Sequence, residues 1–288
     1  LIMVLFWLGV LLWLQGSSKK IRWLALLGMS YFLTFLLLRY PLSSEVVYFD
    51  IGQGDCTLIR ERFSRRVILI DTGGKVHFSM PNWKKHPTKT SGETIVANYL
   101  LSKGITRIDQ LYLTHQDADH VGNFPSLSQL IKIKQIIVPA GMENLPSFKH
   151  RLAKSAVMPE AVKGVTDRVK LSDPHLKLLH PFARGQGTNA DSLVLWLDFY
   201  GLKCIFTGDL DRKGELAVSK KYPNLTADVL KMGHHGSKTA TDPKFVQQLA
   251  PKVAIISAGR HNRYGHPNQE TLVTLQKAKV PYYVTAKV

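Results

Sequence analysis

The chain has 288 residues, a net charge of +17 at pH 7 and two cysteines. This length accommodates one large domain and a smaller segment, with a core that needs no disulfide bonds. Cys56 and Cys204 lie in apolar contexts, which excludes a disulfide scaffold or a C-x-x-C metal site and predicts buried free thiols. The basic excess favours an anionic partner, either nucleic acid, another polymer or a membrane surface; the alternative is a solvated basic surface.

Two apolar runs, 1–14 and 21–38, open the chain. The second has the length that crosses a bilayer, about 20 residues. We expect two transmembrane helices at the end of a larger membrane domain, because a signal peptide would have one apolar run and a small-residue cleavage site. The basic link around Lys19 and Lys20 predicts a cytoplasmic loop, which places the following domain on the extracytoplasmic face. The predicted boundaries are 1–40 for the membrane segment and 45–288 for the soluble domain.

From Glu45 onward the pattern is that of an α/β domain. Apolar and β-branched runs predict strands at 46–51, 56–60, 67–70, 135–139, 176–181, 204–206, 229–232 and 253–257, and helical spacing predicts helices at 93–103, 124–131 and 269–277. Residues 141–170 have a weak pattern that we interpret as helix and loop. Several strands end in Asp or Gly, where ligands gather in layered α/β folds.

Residues 75 to 92 are rich in His, Lys and Pro and include Trp83. A basic loop with one aromatic side chain can contact a phosphate backbone and stack a base. The alternative is a loop that is only solvated.

The stretch 111–122 carries the most chemistry, because an apolar strand-like run leads into His115, Asp117, Asp119 and His120. His115 and Asp117 are two residues apart and can point to the same side of an extended or tightly turned segment. Asp119 and His120 can supply a second set of ligands. Mixed imidazole nitrogens and carboxylate oxygens suit Zn²⁺ or Mn²⁺, and two histidines argue against a calcium site.

A second histidine-rich segment follows the strand at 229–232. If this segment is extended, His234 and His235 point in opposite directions, so that only one ligates a metal easily. We favour His234 as the ligand and His235 as a supporting group or proton donor. Lys231 and Ser237 are candidates for binding phosphate oxygens. His266 is interpreted either as a proton donor to the leaving oxygen or as a histidine that stabilises a turn.

Other polar residues have simpler interpretations. Arg260 and Arg263 have the guanidinium geometry that suits phosphate. His180 precedes a proline and is predicted to be a packed histidine rather than a ligand. Asp211 and Glu215 are expected to be solvated or to lie near a helix N-terminus.

Seven short motifs of the chain resemble those of one known protein family. They occur in the order F-D-I-G-Q-G-D, I-D-T-G, H-Q-D-A-D-H, S-L-V-L, T-G-D, H-H-G-S and Y-G-H-P. H-Q-D-A-D-H resembles the H-x-H-x-D-H signature of the metallo-β-lactamase superfamily, with Asp117 in place of the second histidine. That variant is typical of the ComEC family of competence proteins, which import transforming DNA. The resemblance covers roughly residues 46 to 285.

The resemblance implies a metallo-β-lactamase-like αββα sandwich, preceded here by two transmembrane helices, and two divalent ions, Zn or Mn. It implies the metal ligands His115, Asp117, Asp119, His120, Asp209 and His234, with Asp209 between the ions, and the supporting residues Asp71, Asn189, Asp191 and Ser192. The catalytic candidates are Asp119, His235 and His266, and the substrate candidates are Lys231, Ser237, Arg260, Asn262 and Tyr264. Most of the superfamily has a histidine ligand between positions 181 and 208, and this chain has none there, which makes Mn²⁺ comparable to Zn²⁺.

These observations favour the nuclease-like domain of a multi-pass cell-membrane channel for DNA uptake. Its expected partners are single- or double-stranded DNA, the membrane and other proteins of the competence machinery. One alternative is a non-catalytic module that guides or gates DNA. Another is a membrane-anchored phosphoesterase that acts on a cell-surface polymer.

Overall fold

The computed structural model describes residues 2–15, 18–64, 66–74, 92–260 and 262–287. Within these ranges two N-terminal helices precede an α/β domain with two six-stranded sheets. Most of the basic segment at 75–92, for which the sequence predicts a DNA contact, lies outside the described residues.

The N-terminal helices are α1 (Ile2–Gln15) and α2 (Lys19–Arg39). Ser18 caps α2, since its hydroxyl accepts the Ile21 N–H at 3.3 Å. Among the described residues one helix, over Lys19–Leu37, is long and apolar enough to cross a bilayer. The 14 residues of α1 extend about 21 Å at the helical rise of 1.5 Å per residue. The expected pair of spans is therefore supported for its second member only.

The first sheet has the strand order β1-β2-β3-β5-β7-β8. Its strands are β1 (Glu45–Tyr48), β2 (Thr57–Arg60), β3 (Val67–Ile70), β5 (Gln110–Tyr112), β7 (Ile136–Pro139) and β8 (Val162–Val165). The first three strands pair antiparallel and the others continue in parallel from β3. The short strands β4 (Arg107–Ile108) and β6 (Lys132–Ile133) form a separate parallel pair.

The second sheet has the order β14-β13-β12-β11-β10-β9. Its strands are β9 (Leu176–His180), β10 (Val194–Phe199), β11 (Leu202–Phe206), β12 (Val229–Lys231), β13 (Val253–Ile256) and β14 (Tyr282–Val284). β9, β10 and β11 pair antiparallel, and β11 to β14 pair in parallel. The parallel strands end at a common edge, and the functional loops leave from that edge.

Helices cover the outer face of each sheet. α3 (Gly92–Ser102), α4 (Ala118–Val121), α5 (Phe124–Leu130) and α6 (Pro146–Leu152) belong to the first half of the domain, and α7 (Arg212–Lys221), α8 (Pro243–Leu249) and α9 (Gln269–Lys277) to the second. β3 illustrates the strand period of two: Val67 and Leu69 join the cluster under the helices, whereas Ile68 and Ile70 pack between the sheets. A third buried cluster lies under α7 to α9. These four layers confirm the predicted αββα arrangement.

The predicted elements are largely present, with ends displaced by a few residues. The helix at 269–277 has the predicted bounds, and Cys56 and Cys204 are buried free thiols as expected. The sequence did not predict β8, which runs over V-K-G-V. A glycine and a lysine interrupt its apolar pattern, and the strand is paired on one side only, at the edge of the first sheet.

Glu215 lies in the first turn of α7, which confirms the predicted position near a helix N-terminus, but it is buried rather than solvated. Its two carboxylate oxygens accept the backbone N–H groups of Thr241 and Asp242 at 2.9 and 2.7 Å. Burial raises the pKa of Glu215 to about 8, and the two hydrogen bonds oppose that shift. Glu215 thus connects α7 to the loop that follows the His234–His235 turn.

This buried acid predicts a pH-dependent stability. The native state holds its proton up to about pH 8, whereas an unfolded Glu ionises near pH 4.5. The contribution of Glu215 to the free energy of unfolding is complete below about pH 4.5 and is lost as the pH rises through 8. The free energy of unfolding changes by at most ~1.4 kcal/mol per pH unit over this range. We expect Glu215→Gln to flatten this slope in urea denaturation of the detergent-solubilised chain between pH 5 and 8. The exposed Glu160→Gln variant is the control and should keep the wild-type slope; parallel profiles for Glu215→Gln and the wild type would contradict the prediction.

Candidate metal centre

The loop after β5 brings the first group of predicted ligands together. His115 is buried, and its Nε2 lies 3.7 Å from Oδ2 of Asp117. Asp117 occupies the N-cap position of α4 and is about half exposed, without a capping hydrogen bond from its side chain. Asp119 and His120 lie within α4, which turns His120 into the interior. A short helix therefore supplies the second pair of ligands from the same loop.

Asp71 lies behind this loop at the end of β3. Its Oδ1 accepts the Thr114 N–H at 2.7 Å, and its Oδ2 lies 2.7 Å from the Thr114 hydroxyl and 2.8 Å from Nδ1 of His120. These contacts hold both the loop and the His120 ring. They agree with the orienting role that the resemblance implies for Asp71.

Asp209 follows β11 and lies at the centre of the cluster. Its Oδ1 is 3.2 Å from Nε2 of His120. Its Oδ2 is 3.6 Å from Nε2 of His234, 3.6 Å from Nε2 of His235 and 3.9 Å from Nε2 of His115. One carboxylate that is 3 % exposed thus faces four imidazole rings.

The His234–His235 turn corrects a sequence expectation. The segment is not extended: both residues have left-handed backbone angles, with φ of 47° and 55°, so both rings reach Asp209. His235 is the deeper of the two, since its Nε2 is also 3.2 Å from Oδ2 of Asp119 and 3.3 Å from Nε2 of His120. His234 is 28 % exposed and lies at the mouth of the cluster. The geometry therefore makes His235 at least as strong a ligand candidate as His234.

The charges of the cluster shift several pKa values. Burial disfavours the imidazolium of His120, yet Asp209 and Asp71 hold the pKa of that ring well above its usual value. His235 is likewise opposed by burial, but Asp209, Asp119 and Asp55 raise its pKa to about 10. In the opposite direction, His120 and His235 hold the pKa of Asp209 well below its usual range despite burial. The carboxylates thus create a field that strongly favours positive charge at this point.

These residues fit a bound divalent cation. Nε2 of His115 and Oδ1 of Asp209 are buried and make no hydrogen bond among the described residues. Asp55, His120, Asp209 and His235 each offer one atom within 4.8 Å of the others. The donors are imidazole nitrogens and carboxylate oxygens, which suit Zn²⁺ and Mn²⁺.

The supporting residues predicted between 189 and 192 differ in their contacts. Ser192 is buried and its hydroxyl accepts the Asp209 N–H at 3.2 Å, while its carbonyl lies 2.8 Å from Nδ1 of His180. Asp191 instead serves its own loop, accepting the N–H groups of Gln186 and Thr188. Asn189 begins the same short turn. Ser192 is therefore the member of this group that touches Asp209, and His180 is the packed histidine that the sequence predicts.

Two of the predicted phosphate contacts are corrected. Lys231 is buried, and its Nζ lies 2.7 Å from Oδ2 of Asp55 and donates to the Met232 carbonyl at 3.1 Å, so it is held inside the fold. Asn262 holds its own turn, since its amide donates to the Gly259 and His266 carbonyls at 2.8 and 2.6 Å.

The other three predicted substrate residues differ in their exposure. Ser237 is mostly buried and hydrogen-bonds to the Thr239 hydroxyl at 3.0 Å. Arg260 is exposed, and Tyr264 is 47 % exposed and stacks on His266 with ring centroids 5.7 Å apart. Arg260 and Tyr264 are thus free to meet a ligand.

His266 lies beside the histidine pair, with its ring centroid 6.0 Å from that of His234 and 6.4 Å from that of His235. Burial, reinforced by the positive charge of His235 and His234, lowers the pKa of His266 to about 4. This shift favours the neutral ring near pH 7, and the role of His266 as a proton donor stays a prediction. A neutral imidazole can instead accept a proton.

Asp55 is the site residue that sequence reasoning missed. It belongs to the F-D-I-G-Q-G-D motif, where it reads as a turn residue between two strands. The fold buries it, and its Oδ1 lies 3.3 Å from Nδ1 of His235. Its position in that motif is the one signal that pointed to it.

Comparison with known proteins agrees with this geometry. The family model of the metallo-beta-lactamase superfamily matches residues 49–260. The chain is 42 % identical to ComE operon protein 3 of Bacillus subtilis (strain 168) over 254 residues, which cover 85 % of this chain and 33 % of that protein. It is 31 % identical to competence protein ComA of Neisseria gonorrhoeae over 229 residues, which cover 79 % of this chain and 29 % of that protein. The chain thus spans about a third of the length of these relatives.

Solved structures give a weaker likeness. MEM-A1, a subclass B3 metallo-beta-lactamase from a soil metagenome library, aligns with a TM-score of 0.42 and 15 % identity, covering 84 % of this chain and 97 % of that chain.

Proposed function

Because the chain belongs to the metallo-β-lactamase superfamily and is homologous to competence proteins of the ComEC family, we propose that it is a metal-dependent hydrolase that cleaves phosphodiester bonds in DNA. The proposed setting is a membrane channel for DNA uptake in natural transformation. The activity, the substrate and the setting are each supported by a different feature of the chain.

The arrangement around Asp209 carries the catalytic part of the proposal. Four imidazole rings face one buried carboxylate, and two donor atoms in this cluster make no hydrogen bond among the described residues. Buried polar atoms are normally hydrogen-bonded. A purely structural cluster would satisfy these atoms within the protein, whereas a cation-binding cluster leaves them directed at the ion.

We propose that two divalent ions, Zn²⁺ or Mn²⁺, are held here. The ligands would be His115, Asp117, Asp119, His120, Asp209, His234 and His235, with Asp209 shared. When bound, such ions supply an acidified water and neutralise charge on a phosphodiester. The protein orients His120 through Asp71 and positions Asp209 through the Ser192 hydroxyl. Neutral His266 is placed to accept a proton at the mouth of the site.

The charge of the surroundings supports an anionic substrate. The net charge is +17, and exposed Arg260 lies on the same loop as Tyr264 and His266. Guanidinium groups bind phosphate oxygens, and an exposed tyrosine ring offers a face on which a base can stack. This combination suits a strand of nucleic acid better than a neutral amide.

The membrane setting is supported by α2. Its candidate span is apolar, and Trp23 and Tyr31 are 67 % and 78 % exposed in the described chain. We propose that α2 crosses the cell membrane as part of a multi-pass protein, and that the basic residues at its start keep that end cytoplasmic. The α/β domain would then lie on the extracytoplasmic face, where incoming DNA and other competence proteins can reach it.

The test uses the whole chain in detergent, stripped of metal and incubated with end-labelled single- and double-stranded DNA. Mn²⁺, Zn²⁺ or Mg²⁺ is added back separately. We expect metal-dependent cleavage that Asp119→Ala lowers by ~100-fold or more, because Asp119 contacts His235 at the centre of the cluster. Asp198→Ala, in the β10–β11 hairpin, is the matched control and should cleave like the wild type.

Other outcomes identify the alternatives. DNA binding that is salt-sensitive and metal-independent, without cleavage, would overturn the nuclease proposal and favour a guiding or gating module. Cleavage of small phosphodiesters without salt-sensitive DNA binding would favour a phosphoesterase that acts on a cell-surface polymer.

A further inference from the structure

A buried ion pair joins the two sheets next to the proposed metal centre. Lys231 ends β12 in the second sheet, and Asp55 lies in the turn between β1 and β2 of the first. The Lys231 Nζ is 2.7 Å from Oδ2 of Asp55, and the two side chains are 3 % and 7 % exposed. Burying a lysine is costly unless a partner compensates its charge. A charged pair buried this deeply therefore needs a role that offsets the cost of burying it.

The second oxygen of Asp55 is directed at His235. Oδ1 of Asp55 lies 3.3 Å from Nδ1 of His235, and the Ser257 carbonyl lies 3.0 Å from the same nitrogen. The Ser257 carbonyl accepts the hydrogen bond from Nδ1, and the Asp55 carboxylate lies beside the same nitrogen, although its Oδ1 makes no hydrogen bond among the described residues. Both neighbours favour the tautomer with a proton on Nδ1. Nε2 of that tautomer carries a lone pair and points towards Asp119 and Asp209.

We propose that Asp55 and Lys231 form a positioning pair, which holds His235 in the orientation and tautomer that bind a cation. This inference rests on the proposed metal-dependent function. Lys231 keeps Asp55 ionised and in place, and the negative charge of Asp55, 3.3 Å from Nδ1, stabilises the Nδ1–H that His235 donates to the Ser257 carbonyl. Neither residue contacts the substrate. The pair acts by raising the affinity of the centre for a cation.

The same device occurs on the opposite side of the cluster. Nδ1 of His120 lies 2.8 Å from Asp71, whose other contacts are to Thr114. Each of the two innermost rings is thus backed by one carboxylate, and each carboxylate is fixed by a separate partner. Metal-binding histidines commonly donate their second N–H to such a group, and its loss commonly lowers metal affinity.

Asp55 offers an atom within 4.8 Å of donor atoms of His120, Asp209 and His235, and its Oδ1 makes no hydrogen bond among the described residues, yet its placement favours a supporting role over direct ligation. Its Oδ2 is occupied by the ammonium group of Lys231, and its Oδ1 lies on the Nδ1 side of His235. The side of the ring that meets the other ligands is Nε2. Asp55 therefore supports the ring from behind.

The experiment compares four full-length variants with the wild type in detergent: Asp55→Asn, Lys231→Met, the double variant of both, and Glu45→Gln. Glu45 is 31 % exposed and lies 3.3 Å from the buried Arg60, so the last variant alters a partly buried ion pair away from the histidines and serves as the control. Zn²⁺ affinity is measured by chelator competition, and thermal stability is measured on the metal-free chain. Histidine-selective ¹⁵N NMR of the Zn²⁺-loaded chain follows the Nδ1–H resonance of His235.

We expect Asp55→Asn to lower Zn²⁺ affinity by about 10- to 100-fold and to shift the His235 Nδ1–H resonance, with Glu45→Gln unchanged in both. Lys231→Met should also lose thermal stability, because it leaves a buried carboxylate without its cation. The double variant removes both charges and should regain that stability without regaining affinity. This separation of stability from affinity distinguishes a positioning pair from a merely structural one.

Three results would overturn the inference. Affinity that returns to the wild-type value in the double variant together with stability would make the pair structural. A loss of one bound ion per chain in Asp55→Asn would make Asp55 a ligand. An unchanged Zn²⁺ affinity and an unchanged His235 resonance in Asp55→Asn would show that Asp55 has no positioning role. A wild-type chain that binds neither Zn²⁺ nor Mn²⁺ would instead overturn the proposed function.

Discussion

Replacing Asp209 by asparagine should lower metal-dependent DNA cleavage by about 1,000-fold or more, which corresponds to about 4 kcal/mol of transition-state stabilisation. Among the described residues, Asp209 is the one carboxylate that faces all four rings of the cluster, from 3.2 Å at His120 to 3.9 Å at His115. Asparagine has nearly the same shape but no charge, and its amide presents hydrogens where an ion needs a donor oxygen. The expected result is loss of both activity and bound metal, measured by cleavage of end-labelled DNA and by metal analysis of the purified chain.

A matched control lies two residues further along the same loop. Asp211 caps α7 by accepting the Gly214 N–H at 2.8 Å. Asparagine is also a good N-cap residue, so Asp211→Asn should keep metal and activity. An Asp209→Asn chain that retains its metal and cleaves at the wild-type rate would show that the cluster is not the catalytic centre.

The second large effect is expected at Gly54, which has no functional group. Its φ is +128°, and a Cβ at this position would lie 2.3 Å from the carbonyl oxygen of Asp119. Because that atom belongs to the backbone, Gly54→Ala must displace the turn or the start of α4. A shift of about 1 Å at a catalytic group can lower a rate about 100-fold. We expect Gly54→Ala to lower cleavage by that order and to weaken Zn²⁺ binding, measured by chelator competition.

Gly52 provides the control for this prediction. It also has a positive φ, +81°, but a Cβ there would meet nothing within 4 Å. Gly52→Ala therefore carries the backbone strain of an alanine in this region, about 1–2 kcal/mol, without crowding Asp119. It should lower the melting temperature while largely keeping metal affinity. Equal losses of affinity in both variants would mean that strain in the turn, rather than contact with Asp119, is responsible.

The sequence was sufficient wherever a signal is local. The continuous apolar, β-branched run of β3 and the helical spacing of 269–277 predict these elements directly. His115, Asp117, Asp119 and His120 fall within six residues, so any compact turn brings them close together. The ordered motifs extend this to Asp209 and to the αββα fold, because they identify a family whose architecture is known.

Local signals failed where the outcome depends on backbone angles or on distant partners. An extended His234–His235 segment would point the two rings in opposite directions, whereas left-handed angles at both residues turn both rings towards Asp209. For Glu215 the sequence predicts a solvated position or one near a helix N-terminus; the helix start is present, but the loop at 241–242 buries the side chain and supplies two N–H groups. In each case the deciding contact comes from another segment.

By itself, the sequence determined the class of this protein: a basic chain with an apolar helix long enough for a membrane, a layered α/β domain and a cluster of borderline-metal ligands. Composition, hydrophobic period and residue spacing depend on residues that are close in the sequence, so they can be determined without knowledge of the fold. The tertiary structure alone decided which histidine lies deepest and what stands behind it. Asp55 and Lys231 are 176 residues apart along the chain, and only the packing of one sheet against the other brings their charges together behind His235.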